Sequence, residues 1–217
     1  MELLTENYKQ TEIGLIPSDW EVKTLGDIGD VKMCKRIFSH QTKEIGEIPF
    51  YKIGTFGKEP DAYISMDLYN DFRKKFSYPS KGDILISAAG TIGRTIKFNG
   101  EDGYFQDSNI VWIDNKQNLI SNEYLHHILQ IIKYNTEGGT IQRLYNSILK
   151  STKFVCPTDI EQTLITKALS DTDDWITNLE QLLLKKRHIK QASLQELLSP
   201  KQGWKVKKLG DIGETII

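Results

Sequence analysis

Four features of the chain have residue types that could carry chemistry, and each fails on spacing. Gly90-Thr-Ile-Gly93 could bend around a phosphate, but it lacks the length and the lysine of a phosphate-binding loop. Pro60 and Asp61 could open a nuclease carboxylate motif, yet no well-spaced Glu-x-Lys follows, and a turn is the plainer reading. His126 and His127 are neighbours on an expected helix, so they face different directions and make a poor metal pair. Cys34 and Cys156 are far apart and fit no metal spacing, which leaves reduced thiols of a cytoplasmic protein. No glycine-rich loop suited to S-adenosylmethionine and no Asn/Asp-Pro-Pro-aromatic tetrapeptide for adenine methylation occurs. The residues therefore point away from catalysis and toward binding and positioning.

The elements that would position any binding residues can be read from the pattern. The chain has 217 residues, enough for one ordinary domain plus an extended element. Hydrophobic residues make up 39% and charged residues 26%, so a packed core is expected and global disorder is not. The net charge is −1, so any contact with a polyanion must come from local positive charge or a basic partner. No window has the apolar length of a membrane span, and the first residues lack the basic and apolar regions of a secretory signal. Short β-rich runs at 83–87, 95–98 and 109–113 are separated by Gly, Asn, Asp and Pro. Leu125, Ile128, Leu129 and Ile132 predict a helix over 121–134, and a helical turn is expected near 146–152. Residues 1–157 thus read as a compact α/β (α+β) globule with an N-terminal arm, 1–16.

The texture then changes. Residues 158–199 contain no Gly and no Pro, and Asp159 with Gln162 offers a D-x-x-Q capping box. Ile165, Leu169, Ile176, Leu179 and Leu183 recur on a heptad interrupted by Thr172. About 40 helical residues make a rod of roughly 60 Å, whose apolar stripe calls for a second helix in a coiled coil. A helix folded back on its own globule is the alternative. The basic run at 185–190 reads as a solvated face, with a phosphate contact or a partner surface as the sharper option. Residues 200–217 start a second copy of an earlier segment. GWKVKKLGDIGE at 203–214 repeats DWEVKTLGDIGD at 19–30, with eight of twelve positions identical.

Further segments complete a pattern: KGDILISAAGTIG at 81–93, YFQDSN at 104–109, GGTIQRLYN at 138–146, PTDIEQ at 157–162 and LQELL at 194–198. In this order, behind a W-x-V-x-x-L-G-D-I-G opening, they resemble the specificity subunit of type I restriction–modification systems over residues 17–214. The resemblance departs at Asp159, where a proline is expected, and in residues 1–16, which have no counterpart. It covers one target-recognition domain, whereas the familiar subunit has two.

The resemblance implies a non-catalytic subunit that recognises one half of an interrupted double-stranded DNA target. Antiparallel helices act as a ruler between two recognition domains. At roughly 60 Å the helix could hold two readers one or two DNA turns apart, at about 34–36 Å per turn. The implied partners are methyltransferase subunits, which carry S-adenosylmethionine, a restriction motor-nuclease subunit, and a second copy of this chain paired through the helices. The chain itself would bind no cofactor and no metal. An assembly or decoy protein without useful DNA readout is the alternative. Polar loops supply the candidate DNA-binding residues, since donors and acceptors there can meet groove edges and phosphates. They are Lys35 and Arg36; Thr55 and Lys58; Ser87, Thr91 and Arg94; Gln106, Ser108 and Asn109; and Gln142, Arg143, Tyr145 and Asn146.

Overall fold

The structure is a computed structural model that describes residues 7–134, 143–208 and 210. The chain divides into two units, residues 1–167 and 168–217. In the first unit, β1 (Tyr8–Thr11) and β2 (Gly14–Pro17) form an antiparallel hairpin. β3 (Glu21–Thr24), α1 (Leu25–Ile28) and β4 (Gly29–Met33) follow, then β5 (Ile48–Tyr51), β6 (Tyr63–Ile64) and α2 (Met66–Lys75). Next come β7 (Ile84–Ser87), β8 (Thr95–Lys97), β9 (Tyr104–Phe105), β10 (Ile110–Asn115), α3 (Asn122–Ile131), α4 (Asn146–Ser151) and β11 (Lys153–Cys156). The helix α5 (Asp159–Leu198) completes the order.

A four-stranded antiparallel sheet, β4-β10-β7-β8, is the frame. Successive side chains of a strand point to opposite faces, so a strand covered on both sides is apolar throughout. Ile84, Ile86, Val111 and Ile113 enter one core with α1, α3 and α4. Leu85, Ile110 and Trp112 enter a second core with Phe50, Ile64 and Tyr69. This double burial is why Ile84–Ile86 and Ile110–Ile113 are apolar at successive positions. The second face is closed by β6-β5-β9, in which β5 and β9 run parallel, and by α2.

The duplicated opening has a structural purpose in its first copy. Leu25 and Ile28 are buried, and Asp27 Oδ2 accepts from the Thr24 amide at 2.7 Å. Gly29 lies so close to β10 that an added Cβ would stand 2.1 Å from the Asp114 carbonyl oxygen. β3 pairs with β11, which closes the chain ends of the domain together. In the second copy, Leu209 and residues 211–217 lie outside the described residues.

Several elements went unnamed in the sequence reading, among them a hairpin and a helix. The hairpin β1–β2 occupies the arm at 8–17. Helix α2 was hidden because Tyr69 is its one fully buried residue, with Leu68 and Phe72 only partly buried beside it among charged neighbours. Two expectations about the long helix need correction. The box that caps α5 is Thr158 with Glu161, one residue before the Asp159/Gln162 pair. The Thr158 amide donates to Glu161 Oε2 at 3.1 Å, and the Glu161 amide donates to Thr158 Oγ1 at 3.4 Å. Gln162 is thereby free for another use, and it is buried in the domain. Ile165, expected on the dimerisation stripe, packs partly buried against the domain core instead.

From Ala168 to Leu198 every residue of α5 is exposed, including Leu169, Ile176, Leu179 and Leu183. From Leu169 to Leu183 the stripe read from the sequence is exposed among the described residues. Among the described residues, no helix is long and apolar enough to cross a membrane.

Candidate functional site

The C-terminal end of β7 is the hub of the candidate residues. The chain leaves the sheet at Ser87 and returns at Arg94, with Gly90 and Gly93 at positive φ of 65° and 80°. Only glycine suits position 93, because an added Cβ would also lie 2.7 Å from the Tyr134 ring. Ser87 is 1% exposed. Its hydroxyl donates to the Thr91 carbonyl and accepts from the Arg94 amide at 2.9 Å. The serine braces the turn from inside, so it is corrected from a groove-facing residue to a scaffold residue. Thr91 and Arg94, at the solvent side of the same turn, are exposed.

Three other segments join this turn. The Ala88 amide donates to the Asn109 carbonyl at 2.7 Å, and the Leu144 amide donates to the Ala88 carbonyl at 2.9 Å. An isolated bridge pairs Ala89 with Arg143. Segments 106–109 and 143–146 are therefore stitched to either side of the end of β7. The loop after β5 is tied in by Gln106, whose Oε1 accepts from the Ile53 amide at 2.9 Å. Thr55 is occupied likewise, accepting from the Lys52 amide and donating to its carbonyl. Lys58, three residues on, is exposed. Arg94 reaches across to the same loop, its guanidinium 6.0 Å from the Phe56 ring centre. The segment after β4 joins through Arg36, whose Nε donates to Asp107 Oδ2 at 2.9 Å. Lys35 turns away and sets its ammonium 5.2 Å from the Phe76 ring centre.

Thus the described candidates other than Lys35 come from five sequence segments and meet at one end of the sheet. Gln142 lies outside the described residues. Ser87, Thr55 and Gln106 hold the loops together. Lys58, Thr91, Arg94, Arg143, Tyr145 and Asn146 face solvent. Ser108 sits between them at φ 53°, a left-handed conformation that non-glycine residues rarely adopt and that is common at functional loops. A groove of about 390 Å³ opens here, lined by Met33, Ser108, Arg143, Tyr145, Asn146 and Ser147 among others. Asp107 was missed in the sequence because a search for donors to phosphate passes over an acid. Its place between Gln106 and Ser108 in a quoted motif was the available signal.

The groove offers guanidinium, amide and hydroxyl groups on a stiff base. Such groups can meet base edges and phosphates. Cys34, just before Lys35, is buried, and that burial pushes its thiol up to about 12. Among the described residues there is no cluster of three or more His, Cys, Asp or Glu placed to hold a metal.

The family profile described as "Type I restriction modification DNA specificity domain" matches residues 17–187. The chain belongs to this family. The match takes in the first copy of the duplicated opening, every hub segment and over half of α5. A type I restriction enzyme specificity subunit from Haemophilus influenzae is 58% identical over 159 residues, which are 73% of this chain and 41% of that protein. The MjaIX specificity subunit of Methanocaldococcus jannaschii is 29% identical over 243 residues, covering 94% of this chain and 54% of that protein. The chain spans about half the length of the curated relatives it matches. The specificity-domain fold is also found in the S subunit from M. genitalium, with a TM-score of 0.57 at 17% identity over 83% of this chain and 46% of that one. The HsdS subunit from Thermoanaerobacter tengcongensis gives 0.55 at 17% identity over 82% and 43%.

Proposed function

We propose that this chain is a non-catalytic DNA-specificity subunit in which the loops at the end of β7 read one half of an interrupted target. The observation that carries this reading is the meeting of five polar segments around one braced strand end. Arg94 and Arg143 can each offer a planar fork to guanine, Asn146 a donor and acceptor to adenine, and Lys58 a charge to phosphate. Buried Ser87 and half-buried Gln106 keep the loops stiff. Residues 17–157 would form the reading domain and 158–199 the spacer.

In this reading two copies pair through antiparallel α5 helices and present two readers, so the full target is an interrupted palindrome. Methyltransferase subunits bound to this pair carry S-adenosylmethionine and methylate adenine, and a restriction motor-nuclease joins for cleavage. The chain binds no cofactor of its own and works in the cytoplasm.

Selection of bound sequences from a random duplex library, using the purified chain, tests the reading. It predicts an enriched half-site, lost in Arg94→Ala or Arg143→Ala by about 1–3 kcal/mol for each bidentate contact removed. Binding with only a salt-dependent phosphate component would favour an assembly or decoy role instead.

A further inference from the structure

The exposed part of α5 is polar in a graded way. Its first half carries Asp171, Asp173, Asp174 and Glu180, and its second half carries Lys185, Lys186, Arg187 and Lys190. At about 100° per residue, Leu169, Ile176, Leu179 and Leu183 fall within about 40° of one line along the helix. These four side chains are 41–65% exposed. The same line passes through Thr172 near one end and through Arg187 and Lys190 near the other. The stripe is therefore apolar at its centre and broken at both ends by polar groups.

We propose that residues 169–190 form a self-complementary surface for a second copy of this chain, antiparallel and centred at Leu179. This rests on the homodimer reading given above and specifies its register. A two-fold axis at Leu179 sets Ile176 against the second copy's Leu183, and Thr172 against the second copy's Arg187. Thr172 and Arg187, a break from each end, then meet each other, and Ile176, Leu179 and Leu183 meet apolar residues, while Leu169 lies against the second copy's Lys190. Asp173 lies on the same flank as Arg187, so it faces the second copy's Arg187 across the seam. On the other flank Lys186 faces the second copy's Trp175, which is 70% exposed and suited to a cation. A parallel pair would instead place Arg187 and Lys190 against their own copies inside the seam, and like charges so placed oppose association. The antiparallel register creates one like-charge contact, Glu180 beside its own copy at the axis.

Sedimentation of the full chain at micromolar concentration, with circular dichroism to check helix content, tests the register. The native chain should dimerise. Asp173→Lys and Arg187→Glu should each weaken the dimer by at least about tenfold, because each sets like charges together. An equal mixture of the two variants should restore pairing, since both cross-seam contacts are then opposite in sign. Glu180→Gln should tighten it. A native chain that stays monomeric overturns both the homodimer reading and this inference. A native dimer that either single variant leaves unchanged, that the mixture fails to rescue, or that Glu180→Gln weakens overturns the register alone.

Discussion

The Gln162 amide donates to the Leu119 carbonyl at 2.9 Å, joining the start of α5 to the loop before α3. The same nitrogen reaches the Pro157 carbonyl at 3.1 Å, and Oε1 accepts from the Ser121 amide at 3.3 Å. One buried side chain thus serves three backbone groups. Gln162→Leu removes a partner from all three and leaves the two carbonyls only the weak donor Cys156 Sγ, at 3.7 and 3.8 Å. We expect a loss of about 2–4 kcal/mol, given that each unsatisfied buried group costs about 1–3 kcal/mol and water recovers part. Urea unfolding followed by tryptophan fluorescence measures it, and a change below about 0.5 kcal/mol would show that the clamp has no energetic weight.

Gly93→Ala should destabilise the recognition unit by about 1–3 kcal/mol, the usual range for a side chain forced into a strained backbone conformation. Its φ of 80° and the Tyr134 ring both oppose a side chain. The turn carries Thr91 and Arg94, so half-site selectivity should fall with stability. Thermal unfolding together with selection from a random duplex library reads both effects.

Arg36 and Asp107 make a different prediction. Asp107, itself mostly buried, accepts from Arg36 at 2.9 Å, and Arg36 is mostly exposed. Asp107→Asn should change the melting temperature little, because exposed ion pairs contribute about 0–1 kcal/mol. It should raise overall DNA affinity and steepen its salt dependence, since an acid that repels phosphate is removed. Unchanged affinity across 50–200 mM salt, a span over which phosphate contacts show themselves, would place Asp107 outside the DNA path.

Stability should decline on the acid side. Asp27 is held below the ordinary carboxylate range by the Thr24 amide and hydroxyl, Asp30 by the hydrogen bond from Lys150, and Glu123 by that from Lys97. A carboxylate with a lowered folded pKa stabilises the fold above its unfolded pKa, and that contribution disappears as pH falls through the folded pKa. The urea midpoint should therefore be steady near pH 7 and drop below about pH 4, the ordinary carboxylate range. Asp27→Asn should flatten part of that drop.

Much of this was legible before any coordinates. The runs at 83–87 and 109–113 announced strands by their β-rich composition, but not that those strands would be buried on both faces. Ile128 and its neighbours announced α3 by their spacing. The candidate loops were legible as polar segments, but their convergence was not, since it depends on β7 lying between β10 and β8. The split between bracing and exposed residues was also hidden. Ser87 and Thr91 look alike in sequence, and only the turn between them shows that one hydroxyl points inward. The cap of α5 was displaced by one residue because D-x-x-Q and T-x-x-E overlap, and the buried amide of Gln162 decided between them.

Direct sequencing of adenine methylation on a plasmid, with this chain co-expressed beside a type I methyltransferase subunit, tests the central claim most directly. The account predicts methylation at a single interrupted palindrome, abolished or respecified by Arg94→Ala. No methylation from a folded chain bound to its methyltransferase partner, or a methylated sequence indifferent to changes at Arg94 and Arg143, would contradict it.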